Sequence, residues 1–317
     1  MDETRKIGLR GPGQGSGTAA TRQRKTDERA TTDRLPVEKT YKLYINGKFP
    51  RTESGRFYPL QQDDGTVIAN ICRGSRKDFR EAVVAARAAF GSWSGTSAFL
   101  RGQILYRVAE MLEGRSDQFV AELILQGLSK QRAETEVTTT IDRLVYYAGW
   151  ADKYQQVFSA VNPVNSSHFN FSMLEPTGVV DILAPESSAL LGFVSNIAPA
   201  IAGGNTCVVL ASQAMPLCAI SFAEVLHASD VPPGVVNVLT GFREELAEQF
   251  ASHMDVNAII YCDQEDERAR LIEQQAAGNI KHVVSRVDTK WNAGSAQGPY
   301  FIKDTQETKT TWHPIGD

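Results

Sequence analysis

The sequence predicts an α/β fold, a parallel sheet covered by helices on both faces, with a helical lead-in and a small β flap. Three observations predict it. Between residues 178 and 285 lie the apolar runs 179–183, 206–210, 235–239, 258–261 and 282–285, near-continuous as strands buried on both faces must be. Helix-length segments separate these runs, which is the pattern of crossover connections in a parallel sheet. Before residue 158, by contrast, the apolar residues recur at three- and four-residue intervals, the period of an amphipathic helix.

In chain order, residues 1–38 are rich in Gly, Thr and Arg and nearly free of large apolar groups. Such a segment buries too little surface to offset its ordering entropy, so a disordered tail is expected. Leu43, Ile45 and Phe49 flank Asn46-Gly47, the dipeptide of a type I′ hairpin turn. Helices follow at Lys77–Trp93 (Phe79, Val83, Ala86, Phe90) and Phe99–Leu112 (Ile104, Leu105, Val108). A third has Ser116 as its expected N-cap, and a long one runs over 131–157 through Val137, Ile141, Leu144 and Tyr147. After Asn162-Pro163 the period changes to two: Phe169, Phe171 and Met173 alternate with Asn170, Ser172 and Leu174, one arm of a hairpin. From Gly178 the buried strands begin, and Pro232-Pro233-Gly234 turns the chain into the third of them.

Composition narrows the function classes. The 317 residues are 42 % hydrophobic and 22 % charged, ordinary for a globular protein. A net charge of −4 gives no general attraction to nucleic acid or anionic membrane. No apolar run reaches the roughly 18–20 residues that span a bilayer, and no secretory h-region is visible. The four cysteines (Cys72, Cys207, Cys218, Cys262) and five histidines form no pair at metal-ligand spacing. A reduced, cytoplasmic protein with no metal is expected.

The stretches EPTGVV (175–180), APAIAGGNT (198–206) and PPGVVNVLTGF (232–242), supported by AAGNIKHV (276–283), give most of residues 41–290 a close resemblance to the aldehyde dehydrogenase superfamily. The resemblance implies a Rossmann-like cofactor domain, a separate catalytic domain and a protruding oligomerisation flap. It also implies oxidation of aldehydes with NAD(P) through a cysteine thiohemiacetal.

The departures fall on the chemistry. Where the family has Pro-Trp-Asn-Phe this chain has Pro185-Glu186-Ser187-Ser188, so Ser187 replaces the oxyanion-holding asparagine. Losing one such donor costs about 3–4 kcal/mol of barrier stabilisation. The lysine that holds the adenine ribose becomes Leu210, and the acidic position beside it becomes Gln213. Gly241 survives within its motif. The family's Gly-Ser-Thr-Glu-x-Gly loop becomes Asp263-Gln264-Glu265-Asp266-Glu267-Arg268, which puts the protein's own carboxylates at a helix N-terminus where a pyrophosphate would sit. One like charge about 4 Å away costs on the order of 4 kcal/mol at an effective dielectric of about 20. The catalytic glutamate aligns with Arg286, which accepts no proton. No cysteine follows Cys262.

The segment after Lys290 completes the expectation. GSAQGPY (294–300) reads as a flexible loop, and residues 307–316 look like the family's closing flap strand. The domains expected are a tail at 1–38, the Rossmann-like fold at 39–158 and 175–290, the flap at 159–174 and 300–317, and a linker at 291–299 replacing the catalytic domain. The overall pattern looks most like the non-catalytic second unit of family-16 aldehyde dehydrogenases. The expected function is an inactive subunit that joins a full-length aldehyde dehydrogenase as a hetero-oligomer, with no cofactor, no catalytic residue, and the cofactor positions Pro185, Ser187, Leu210, Gln213, Gly241, Asp263 and Gln264 vestigial. The expected interface residues are Phe169, Phe171, Met173, Thr308, Thr310 and Trp312. Two alternatives stay open: a divergent NAD(P)-dependent dehydrogenase, and a small-ligand or scaffold module.

Overall fold

The computed structural model describes residues 39–62, 64–262, 264 and 267–316. The expected tail at 1–38 lies outside the described residues, as do Asp263, Glu265 and Asp266 of the acidic loop.

The first described elements are three short strands, β1 (Thr40–Tyr41), β2 (Phe57–Gln61) and β3 (Val67–Cys72), in the order β1-β3-β2. Between β1 and β2 the Asn46-Gly47 turn forms as the dipeptide demands: φ is 52° at Asn46 and 69° at Gly47, both left-handed. Ile45 and Lys48 exchange both backbone bonds at 3.0 Å. The hairpin continues with the Leu43 amide donating to the Pro50 carbonyl at 3.1 Å, while the outward-facing backbone of Tyr44 pairs with Val238 of the main sheet.

Helix α1 (Arg76–Gly95) starts one residue earlier than the expected Lys77. Ser75 and Asp78 form a reciprocal capping box ahead of it, which satisfies two orphan amides. Then come α2 (Ala98–Glu113), α3 (Ser116–Leu125), α4 (Lys130–Trp150) and α5 (Tyr154–Phe158). Two expectations are corrected. Ser116 is the first helical residue, and Arg115 holds the cap position without a side-chain cap bond. The single helix expected over 131–157 is two helices, because the amide of Lys153 bonds the carbonyl of Trp150 and tightens the last turn. That bend turns Tyr154, 2 % exposed, into the core.

After β4 (Ala160–Asn162) and β5 (His168–Pro176) the chain enters the parallel sheet: β6 (Val179–Leu183), α6 (Leu191–Ala202), β7 (Thr206–Leu210), α7 (Leu217–His227), β8 (Val236–Leu239), α8 (Arg243–Ser252), β9 (Ala258–Tyr261), α9 (Glu267–Ala276) and β10 (His282–Ser285). The strand order is β10-β9-β6-β7-β8, all parallel. The third strand begins at Val236, one residue later than its apolar run suggests. Successive residues of β6 serve opposite layers. Val179 and Leu183 join Phe79 and Phe250, whose rings stack at 4.3 Å, while Val180 and Ile182 join Phe193 and Trp93. Chain direction across the sheet reverses between β6 and β9, and ligands of such sheets bind in the crevice outside the strand carboxyl ends at that switch point.

Residues 286–305 then run from β10 to the last strand, β11 (Gln306–Pro314), with α10 (Tyr300–Lys303) on the way. β11 pairs antiparallel with β5 from Gln306↔Pro176 to Pro314↔His168, and β4 completes the three-stranded flap. Of the segment expected as a flexible loop, 294–300, Gly294–Ala296 forms a 3-10 turn and Ala296 is buried, while Gly294, Ser295 and Tyr300 are exposed; Trp291 and Ile302 on either side are buried. Among the described residues no helix is long and apolar enough to cross a membrane.

Candidate functional site

The carboxyl ends of β6, β7 and β8 converge on one carboxylate. In the turn after β6, Pro185 and Ser188 are buried while Ser187 is exposed. Between them Glu186 accepts hydrogen bonds from the Ser212 hydroxyl at 2.6 Å and from the backbone amides of Gln213 at 3.1 Å and Ala214 at 3.2 Å. The guanidinium of Arg243, 3 % exposed in its side chain, lies 2.9 Å from the same carboxylate and also donates to the Ala184 carbonyl. Ser212 in turn accepts from the Met215 amide at 3.0 Å. Successive amides at a turn make a concave anion site. This one is filled by the chain's own side chain.

A second carboxylate fills a second anion site. The first amides of a helix are unpaired and favour negative charge. At α6 they point to Glu136, which comes from α4. One oxygen of Glu136 accepts from the amides of Leu190 at 3.0 Å and Leu191 at 3.1 Å and from the Ser188 hydroxyl at 3.0 Å. The strand-to-helix turn is tight enough to exclude any side chain at Gly192, where a Cβ would lie 2.4 Å from Pro185 Cγ. Sequence reading misses both contacts. No local pattern links Glu136 to residues 190–191, and Glu186 reads only as an unusual member of its turn.

The other predicted positions are distributed unevenly. Leu210 is fully buried in the sheet core. Gln213 is half-buried, and its carbonyl accepts from the Tyr58 hydroxyl at 3.4 Å. Burial, with a contribution from Glu186, holds the Tyr58 phenol well above its ordinary range. Gly241, at φ 154°, packs so that a Cβ would sit 3.1 Å from the Gly74 amide. Ser187 and Gln264 share a cavity of about 460 Å³ with Glu186, Cys262, Asp288 and Trp291. A neighbouring cavity of about 390 Å³ also touches Ser187 and Trp291. Asp263 lies outside the described residues.

Arg286, at the expected base position, is 6 % exposed. It donates to Asn196 Oδ1 at 2.7 Å and Asp304 Oδ2 at 3.3 Å, and its guanidinium lies 4.0 Å from the Phe301 ring centre. Burial lowers its pKa, and Asp304 is among the groups opposing that shift. Arg143 of α4, 2 % exposed, donates to Ser195 Oγ at 2.6 Å, the Ala296 carbonyl at 2.6 Å and the Trp291 carbonyl at 3.0 Å. Together the two arginines fasten residues 291–304 onto α4, α6 and β10.

Residues 50–290 match the aldehyde dehydrogenase family. The chain belongs to that family. It is 35 % identical over 258 residues to retinal dehydrogenase 2 of Gallus gallus, covering 78 % of this chain and 49 % of that protein. It is 32 % identical over 262 residues to the mitochondrial benzaldehyde dehydrogenase of Antirrhinum majus, covering 80 % and 48 %. The structure of an aldehyde dehydrogenase from Bacillus cereus solved as an NAD+ complex superposes with a TM-score of 0.75 at 27 % identity, over 78 % of this chain and 51 % of that one. The chain spans about half the length of the curated relatives it matches.

Within this aldehyde dehydrogenase fold the four thiols are unbridged and buried. Burial raises the pKa of Cys207 and Cys218, which leaves them as thiols rather than nucleophilic thiolates. No group of metal-ligating side chains occurs among the described residues. The flap divides the six expected interface residues in two. Register pairs Phe171 with Thr311 and Met173 with Lys309, but Thr310 with Ser172 and Trp312 with Asn170. Directly paired residues share a face, so Phe169, Phe171 and Met173 lie on one side, and Thr308, Thr310 and Trp312 on the other. Phe169 and Met173 are 44 % and 40 % exposed, and Trp312 is 57 % exposed.

Proposed function

We propose that this chain is a non-catalytic aldehyde dehydrogenase-family subunit that assembles with a full-length aldehyde dehydrogenase and stabilises or regulates it. One observation carries the reading. Residues 286–305 pass directly from β10 to the closing flap strand, clamped by Arg143 and Arg286, at the point where the family resemblance implies a catalytic domain. The mouth of the sheet supports it. A dinucleotide does not fit the residues present, because Glu186 occupies the amides of Gln213 and Ala214 and Leu210 supplies no donor to a ribose. Ser187 and Arg286 stand where an amide donor and a carboxylate base are needed.

The flap supports the assembly half of the proposal. β11 is an edge strand, and exposed edge strands beside apolar side chains invite strand addition from a partner. The resemblance to the second unit of family-16 enzymes belongs to the same reading. Mixing the purified chain with a full-length aldehyde dehydrogenase from the same source, followed by size-exclusion chromatography with light scattering, tests it. A stoichiometric complex with no aldehyde turnover by the chain alone is expected. A stable monomer that ignores the enzyme overturns the assembly. Micromolar NAD(P) binding with turnover would establish the second reading, a divergent dehydrogenase, which the 35 % identity to retinal dehydrogenase 2 favours.

A further inference from the structure

The two edges of the flap are unequal. At one edge β4 covers only Ala160–Asn162, while at the other β11 runs for nine residues, Gln306–Pro314. No described strand pairs with the outer backbone row of β11, and residues 307–314 are all exposed. Proteins blunt such edges with short strands, bulges, lysines or prolines. β4 is blunted by its length. β11 is not: it pairs with β5 from end to end without a register shift, Lys309 is neutralised by its ion pair with Glu175, and Pro314 falls at the last position.

The sequence of β11 complements itself when reversed. Two-fold antiparallel pairing of a strand with its copy keeps each side chain on its own face, since directly opposed residues share a face, so such a register is centred on a residue. Centred on Thr310, the whole strand overlaps: Glu307 stands opposite His313 of the second copy, Thr308 opposite Trp312, Lys309 opposite Thr311 and Thr310 opposite itself. Centring on Lys309 opposes two lysines, which is destabilising, and centring on Thr311 sets Lys309 against His313. Centring on Thr308 overlaps only Gln306–Thr310. The Thr310 register also suits the charges already in place. Glu307 lies directly opposite Glu175 across the flap, and Lys309 is bound to Glu175. His282 Nε2 meets one Glu307 oxygen at 2.9 Å and leaves the other without a partner among the described residues. His313 of a second copy brings a donor to that oxygen. We infer that β11 pairs with β11 of a second copy of this chain in this register, joining two three-stranded flaps into one continuous antiparallel sheet. The contact goes beyond assembly with a full-length aldehyde dehydrogenase and does not depend on it.

Light scattering of the full 317-residue chain by itself tests this and is expected to give twice the monomer mass. Because all four native cysteines are buried, a cysteine placed on β11 reports the register. Thr310→Cys, opposite itself at the two-fold axis, is expected to form an intermolecular disulfide with oxidised glutathione, and Thr308→Cys, opposite Trp312, is not. His313→Glu sets carboxylates opposite each other at both ends of the pairing and is expected to weaken dimerisation by roughly tenfold or more. Combining it with Glu307→Lys should restore the dimer, an outcome that misfolding would not produce. A monomer at high micromolar concentration, cross-linking of Thr308→Cys as readily as Thr310→Cys, or a dimer untouched by His313→Glu would each overturn the pairing. Because no full-length enzyme is present, failure here is distinguishable from failure of the hetero-assembly.

Discussion

Glu186 and Arg243 meet at 2.9 Å across the mouth of the parallel sheet, and the carboxylate reaches on to the amides of Gln213 and Ala214. The pair joins the turn after β6, the turn after β7 and the start of α8. In an aldehyde dehydrogenase fold this is the crevice outside the strand carboxyl ends, and in this chain a side chain closes it.

Glu186→Ala should therefore destabilise the chain and open an anion site in one step. Removing the carboxylate deletes one contact of the nearly buried Arg243, which keeps its bond to the Ala184 carbonyl, so the loss is smaller than the about 3–5 kcal/mol of breaking a fully buried ion pair. Glu186 is about one-third exposed, so water screens part of this and roughly 1–3 kcal/mol is expected. Urea unfolding measures the loss. Sulfate should restore more stability to the variant than to the parent, by occupying the freed amides.

The arginine clamp makes a separate prediction. Arg143→Met removes donors from the carbonyls of Trp291 and Ala296, leaving buried acceptors unsatisfied at about 1–3 kcal/mol each. Hydrogen exchange across 291–304 should rise strongly, while exchange in β6 and β7 stays slow. Uniform loss of protection everywhere would mean that Arg143 supports the whole core rather than this segment.

Asp181 gives a pH dependence. It lies in β6, fully buried, with neither carboxyl oxygen hydrogen-bonded among the described residues. Burial raises its pKa well above the ordinary value, and Lys281 opposes the shift only in part. A folded pKa above the unfolded one means that the folded state binds the proton more tightly. The stability this contributes is fully present below the unfolded value near 4 and is lost as pH rises through the folded value. Asp181→Val should thus gain on the parent as pH is raised from about 5 to about 8, by an amount on the order of 1–4 kcal/mol. Lys281 keeps the carbonyls of Ala251 at 2.7 Å and His253 at 3.0 Å in the variant. A gap that shrinks with pH would show the carboxylate to be charged and stabilising.

The two faces of the flap can be separated by mutation. Phe171→Glu changes the face that carries Phe169 and Met173, and Thr310→Glu the face that carries Thr308 and Trp312. If assembly uses the apolar face, only the first variant should abolish co-elution with a full-length aldehyde dehydrogenase. Loss from Thr310→Glu alone would place the contact on the opposite side.

Much of the fold is legible in the residues because its signals are local. The runs 179–183, 206–210 and 258–261 coincide with β6, β7 and β9, since a strand buried on both faces admits almost no polar residue. The Asn46-Gly47 turn is legible because few residues accept a left-handed conformation. The break between α4 and α5 is not, since residues 151–153 are compatible with a helix and only the burial of Tyr154 bends the chain there. Nor is the split of the flap, where a period of two gives two faces to each strand but strand pairing decides which faces coincide.

By itself the sequence determined the family and the parallel sheet, because these depend on residue identity at spacings along one chain. The tertiary structure alone decided what fills the mouth of the sheet. Glu136 lies far in sequence from the amides it caps, and Glu186 and Arg143 likewise find their partners on other elements. Hydrogen bonding acts over about 3 Å of space whatever the separation along the chain, so only folding could bring these carboxylates and guanidinium groups to the amides and carbonyls they fill.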